Sequence, residues 1–278
     1  MTSNKLVNVL GVGALALIIA FCYSAVFQWM YGRYMNADSY YSHGFLVPFV
    51  TLFLIWLKRD QLLNQTQQGS RAGLVLIVAA LLLHILGTLL YIFAVSSFSL
   101  FFLIIGLTLY LCGNEITRTI RFPLLFLIFM FPLPEAILGI VSFPLKIFAA
   151  KAGVWLVGLL GIPIHGEGFN IFIPAGELLV GNPCSGLRSL IAFLALGAVF
   201  AYLSNLTLVR KYILFFIAIP IAILSNIIRV PILILVSYYW GLKAAAPDTL
   251  VHTASGLLVF VLGFFLLMMS AKVLEWRA

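Results

Sequence analysis

Long apolar stretches, separated by short polar breaks, run along most of this chain. Crossing about 30 Å of hydrocarbon takes roughly 20 apolar residues in a helix. By that measure the candidate spans fall at about 6–27, 42–57, 72–94, 97–113, 122–142, 185–204, 212–239 and 251–271. The pattern predicts an all-α integral membrane protein of about eight transmembrane helices, forming one polytopic domain over 1–278.

One segment competes for a ninth span. Residues 143–162 are apolar enough to cross, but they carry Lys146 and Lys151, and an extra crossing reverses every later loop. Lys and Arg collect on the cytoplasmic side of a membrane. With the N-terminus inside and eight spans, Lys5, Lys58, Arg59, Arg71, Arg118, Arg121, Arg210, Lys211, Lys272 and Arg277 all fall there, ten of the sixteen basic residues. A ninth span moves the last four outside. The segment is therefore expected to lie along the outer interface, where both lysines snorkel to water. After it, apolar alternation from Phe169 to Ile173, a Pro174-Ala175-Gly176 turn, and Glu177-Leu178-Leu179-Val180 predict a short β-hairpin. Open strand edges are not tolerated in lipid, so the hairpin is expected at the outer mouth of the bundle. Residues 143–183 then form an outer-face insertion ahead of span six.

Composition agrees with a membrane domain and excludes a separate soluble module: 64% of residues are hydrophobic and 9% charged, with a mean hydropathy of +1.17. The net charge of +8 is accounted for by basic cytoplasmic loops facing anionic lipid, and no nucleic-acid partner is expected. The first run lacks a small-residue cleavage site before Gln28, so a first spanning helix is expected rather than a removable signal. Three cysteines, Cys22, Cys112 and Cys184, are odd in number and far apart, which argues against a disulfide framework.

Three polar positions call for a reason. Arg229 in "LSNIIRVPILILVSYYWG" lies ten residues short of the Tyr238-Tyr239-Trp240 cluster that marks the outer interface, about 15 Å into the helix. A basic group at that depth is expensive and defaults to function; Asn226 shares its face, and bridging helices is the plainer alternative. His252 in "VHTASG" opens the last span at its outer end, with Ser255 and Gly256 on its face. Cys184 in "VGNPCSGLRSL" follows Asn182-Pro183 and opens span six, where a helix N-terminus favours a thiolate and the amides near Gly186 and Leu187 can hold an oxyanion. Cys22 and Cys112 lie in apolar runs and read as packing residues. His84 sits mid-helix, where a helix-bridging hydrogen bond is expected; His43 in "YYSHGFLVP" faces outward. Under one topology a thiol, a guanidinium and an imidazole from three helices reach the same side, the arrangement of nucleophilic acyl transfer. No metal-ligand cluster or phosphate-cradling loop is present in the sequence, so no metal or cofactor is expected.

Taken in order, "YYSHGFLVP", "NPCSGLRSL", "SNIIRVPILI" and "VHTASG" resemble the exosortase and archaeosortase family, with His252 resembling its bacterial branch. The resemblance implies a cysteine peptidase or transpeptidase of the bacterial plasma membrane, its site facing the exterior. Its expected partners are exported proteins ending in a Pro-Glu-Pro type motif, one spanning helix and a basic tail. It implies Cys184 as nucleophile, Arg229 as stabiliser of the thiolate or tetrahedral intermediate, and His252 as general acid and base. Arg188, Ser185, Asn226 and His43 are candidate supporting or substrate-binding positions. The chain is expected to hold the membrane core without the soluble C-terminal domain some relatives append. A transporter with Arg229 and His252 along a solute path, and a nonenzymatic factor for envelope polysaccharide assembly, are the alternatives.

Overall fold

The computed structural model describes residues 2–36, 39–181, 184–247 and 249–276. Asn182, Pro183 and Arg277, used in the motif and charge readings, lie outside the described residues. The chain divides into two compact units, Met1–Tyr34 with Leu46–Pro132 and Met35–Phe45 with Leu133–Ala278.

In the first unit the predicted first span is two helices, α1 (Thr2–Cys22) and α2 (Ser24–Met35), bent by 71° where they meet. Then come α3 (Val47–Trp56), α4 (Arg59–Leu63), α5 (Arg71–Leu89), α6 (Phe93–Thr119) and α7 (Arg121–Phe126). The α5–α6 hairpin is held close by small residues. A Cβ on Gly87 would stand 2.7 Å from the Ser96 nitrogen, and one on Gly106 would stand 3.0 Å from Ile77. His84 has the bridging role expected of it. Its Nδ1 lies 2.6 Å from the Ser96 hydroxyl, and its ring stacks on Tyr23 at 3.9 Å between centroids. Cys22 is exposed and Cys112 half-buried, so the packing expected of Cys22 is not found.

The second unit contains α8 (Glu135–Gly158), β1 (His165–Glu167), β2 (Asn170–Ile173), β3 (Gly176–Leu179), α9 (Leu187–Leu203), α10 (Leu208–Trp240) and α11 (Leu250–Trp276). The predicted boundary at 142/143 does not exist. Helix α8 runs straight through it, and the break falls earlier, in "FPLP", where Pro134 lacks an N–H and forces Leu133 out of the helical region. Residues 143–158 are therefore the second half of a helix long enough to cross a membrane, not a separate interfacial helix. The predicted hairpin is β2–β3, and β1 adds a third strand, in the order β1-β2-β3.

Helix α10 is the centre of this unit and packs against α8, α9 and α11. Val230, Leu233 and Ile234 share one core with Ala149, Ala150 and Val157 of α8, Ile171 and Ile173 of the sheet, and Cys184. On its other half Leu214 and Ala218 pack with Phe193 of α9 and Leu267 of α11. Among the described residues five helices are long and apolar enough to cross a membrane, or six if α1 and α2 form one bent span. Gly44–Trp56, Arg121–Met130 and Leu187–Leu203 are apolar but shorter. The chain is a multi-pass helical membrane protein with one small sheet; long helices alone do not make up the count of eight.

Candidate active site

Cys184 lies three residues ahead of α9, not within it. The turn that carries it is fixed on both sides: its N–H donates to the Gly181 carbonyl at 3.1 Å, and its carbonyl accepts the Asn226 side-chain amide at 2.9 Å. Gly186 makes this possible. It sits at φ +82°, left-handed space that favours glycine, and a Cβ there would meet Asn226 Nδ2 at 2.9 Å. The Leu187 N–H donates to the Ser185 hydroxyl at 3.2 Å. That amide is engaged locally, contrary to the oxyanion role expected of it.

His252 comes in from the first turn of α11. Its Nε2 stands 3.9 Å from the Cys184 sulfur, and its Nδ1 lies 3.3 Å from the Ala245 carbonyl. A carbonyl can only accept, so Nδ1 carries the hydrogen and the Nε2 lone pair faces the thiol. Thr249 steadies the turn: its hydroxyl accepts the His252 N–H at 3.3 Å and donates to the Ala246 carbonyl at 2.7 Å.

Arg229 meets this pair at His252. Its guanidinium donates to the His252 carbonyl at 3.3 Å, an oxygen that also accepts the Ser255 hydroxyl at 2.8 Å. Gly256 leaves the room for it, since a Cβ there would stand 3.3 Å from the guanidinium nitrogen.

Two cavities meet at His252. The first, about 520 Å³, is lined by Cys184, His252, Lys146, Leu233 and the stretch 177–181. The second, about 560 Å³, is lined by His252, Arg229, Arg188, His43 and Asn226. Cys184 lines only the first, and Arg229 only the second. Arg188 turns away from the thiol it follows in sequence; its Nε donates to the Ser39 carbonyl at 2.6 Å and ties down the segment that carries His43.

Electrostatics follow this layout. Burial pushes the Cys184 thiol up, and the Arg229 and Arg188 charges pull it back only in part, so its pKa stays above the ordinary value. Burial, then the Arg188 charge, lower His43 to about 4. The His43 ring lies 6.1 Å from that of Tyr41, and neither of its nitrogens has a hydrogen-bond partner among the described residues.

The structure thus brings Cys184, His252 and Asn226 into direct contact, with Arg229 behind His252. It places Arg188 and His43 on the second cavity and Ser185 within the turn. Three participants escaped the sequence reading: Lys146, the Ala245 carbonyl and Thr249. Thr249 was legible as a cap three residues ahead of His252. A backbone carbonyl and a lysine from a distant helix leave no local signal. Among the described residues no group of three or more His, Cys, Asp or Glu is placed to hold a metal.

No curated protein and no solved structure matches the chain. Residues 29–269 match the transmembrane exosortase family, a range that includes His43, Cys184, Arg229 and His252, and the chain therefore belongs to that family.

Proposed function

We propose that this protein is a membrane-embedded cysteine peptidase or transpeptidase that cuts exported proteins beside a C-terminal membrane helix. The observation that carries the reading is the 3.9 Å approach of the Cys184 sulfur and His252 Nε2, both of which line one cavity. The separation is at the long end for a sulfur hydrogen bond, and such bonds commonly tighten when substrate is bound.

The chemistry runs in two stages. The Cys184 sulfur attacks the scissile carbonyl carbon as its proton passes to His252 Nε2. The carbon–nitrogen bond breaks, the departing amine takes the proton from His252, and a thioester remains on Cys184. Water or an acceptor amine then attacks that thioester, giving its proton to His252, and the returning sulfur leaves as the thiol. The Ala245 carbonyl holds His252 in the tautomer that both transfers need. Arg229 acts through space, favouring the thiolate and disfavouring a lingering imidazolium.

The charge distribution supports an outward-facing site in a bacterial plasma membrane. With the N-terminus inside and eight crossings, ten of the sixteen basic residues fall on the inner side. The substrates proposed from the family are proteins ending in a Pro-Glu-Pro segment, one membrane helix and a basic tail. The test is coexpression of a tagged exported protein carrying that ending with wild type, Cys184→Ala and Cys184→Ser. Processing by wild type that both variants abolish supports the reading. Processing that survives either substitution to Ala or to Ser at the wild-type rate overturns it.

A further inference from the structure

The sheet has two edges, β1 and β3, and β3 borders the cavity that Cys184 lines. Strand order β1-β2-β3 places β1 and β3 at the two edges. Its pairing with β2 sets Leu178 opposite Ile171 and Leu179 opposite Asn170. One step on, the Val180 N–H donates to the Phe169 carbonyl at 3.0 Å. In an antiparallel ladder, residues that exchange bonds alternate with residues that do not. Val180, Leu178 and Gly176 therefore turn their N–H and C=O groups toward β2, while Glu177 and Leu179 turn theirs to the open edge.

That edge is a wall of the Cys184 cavity. Residues 177–181 line it without a gap. Side chains of a strand alternate between faces, so the unbroken run Glu177-Leu178-Leu179 within β3 is what a strand met edge-on gives. The same cavity is lined by Val230 and Leu233 of α10, by Leu242 and by Lys146 of α8. Cys184 and His252 also line it. Glu177 and Leu179 are exposed, an exposed strand edge is a template for pairing, and what satisfies donor and acceptor together at a two-residue repeat is another polypeptide backbone.

We propose that β3 is the docking edge for the substrate main chain. An extended segment of the protein to be cut joins the sheet as a fourth strand, pairs with the N–H and C=O groups of Glu177 and Leu179, and is thereby guided to Cys184. This rests on the peptidase reading above and specifies how that site holds its substrate. Gly176–Leu179 spans four residues, about 13 Å of strand, so recognition covers a short extended stretch and not a folded domain.

Proline separates main-chain from side-chain recognition. Leu179→Pro removes an N–H that faces the open edge and leaves the β2–β3 bonds intact, the one setting in which a strand tolerates proline. Leu179→Ala keeps the N–H and removes the side chain. With the tagged Pro-Glu-Pro probe, Leu179→Pro is expected to lower processing about tenfold or more, in keeping with one or two lost hydrogen bonds. Leu179→Ala, which keeps the N–H, should lose clearly less than Leu179→Pro, and both variants should match wild type in membrane level and melting temperature. A second measurement does not depend on how the variant folds: synthetic probe peptides with an N-methyl amide at each successive position, incubated with purified wild type. Blockage at every second position is expected. A flat response to the methyl series, or a Leu179→Pro protein of wild-type stability that processes normally, overturns the docking edge alone. If wild type processes neither probe, the peptidase reading fails and the docking edge fails with it.

Discussion

The Cys184 sulfur and His252 Nε2 come within 3.9 Å across 68 residues of chain, and the contact depends on two backbone carbonyls. Ala245 takes the hydrogen from the far side of the imidazole. The Cys184 carbonyl is held by Asn226. Neither half of the pair is free to drift.

The Asn226 anchor predicts an unusual sensitivity at Gly186. Gly186→Ala places a methyl group 2.9 Å from Asn226 Nδ2 in left-handed backbone space, a strain of about 1–3 kcal/mol. Processing should fall by about tenfold or more, with a lowered melting temperature. Asn226→Ala leaves the buried Cys184 carbonyl without its donor, at a cost of about 1–3 kcal/mol. Purified variants compared by melting temperature and probe turnover check both; wild-type behaviour in Gly186→Ala would show that the turn does not position the thiol.

These relationships show what was legible in the sequence. Cys184, Arg229 and His252 stood out because a thiol at a loop–helix junction, a guanidinium deep in a span and an imidazole at a span end all need a reason in an apolar chain. Apolar alternation from Phe169 to Ile173 and the Pro174-Ala175-Gly176 turn also marked the hairpin as a separate feature ahead of Cys184. The end of the fifth span differs from the expectation because 122–162 is apolar apart from Glu135, Lys146 and Lys151, and hydropathy does not register the "FPLP" break that restarts the helix at Glu135. The same limit hid the division of labour at the site. Spacing along three helices could not tell that Cys184 and Arg229 line different cavities.

Thiol reactivity should report Arg229 directly. Burial holds the Cys184 pKa above its ordinary value of 9.0, and removing Arg229 deletes the larger of the two charges that pull it down. The rate of modification by methyl methanethiosulfonate, followed against pH, should rise only above about pH 9 in wild type. Arg229→Gln should move that rise to still higher pH, and Arg188→Gln should move it less. A shift to lower pH in Arg229→Gln would contradict the electrostatic role given to this residue.

His43 predicts an acid limb in stability. Its pKa in the fold, about 4, lies below the ordinary 6.5, so the unfolded chain binds the proton more readily. The contribution of the neutral ring is complete above about pH 6.5 and is lost progressively as pH falls toward about 4. Melting temperature measured from pH 7 to pH 4 should fall for wild type more steeply than for His43→Phe. Equal slopes would mean that His43 is not held neutral by its surroundings.

Strand addition also constrains where prolines can stand in a substrate. Residues two apart direct their N–H groups to the same edge, so both prolines of Pro-Glu-Pro can face away from β3 while the intervening Glu pairs. Moving one proline next to the other puts a missing donor against β3. A probe ending in Pro-Pro-Glu should therefore be processed about tenfold less well than Pro-Glu-Pro. Equal processing of the two would argue against pairing with Glu177 and Leu179.

The central claim, nucleophilic attack by Cys184 with proton transfer through His252, is tested most directly by looking for the thioester. Purified wild type and His252→Ala, incubated with the synthetic probe and quenched in acid, are digested and searched by mass spectrometry for the probe fragment attached to Cys184. The account predicts an adduct on the Cys184 peptide that neutral hydroxylamine removes, present in wild type. In His252→Ala its formation should be slower by about a hundredfold or more, the usual scale for losing a general base. Probe cleavage by wild type with no hydroxylamine-sensitive adduct at Cys184 at any time point, or an adduct forming at an unchanged rate without His252, would contradict it.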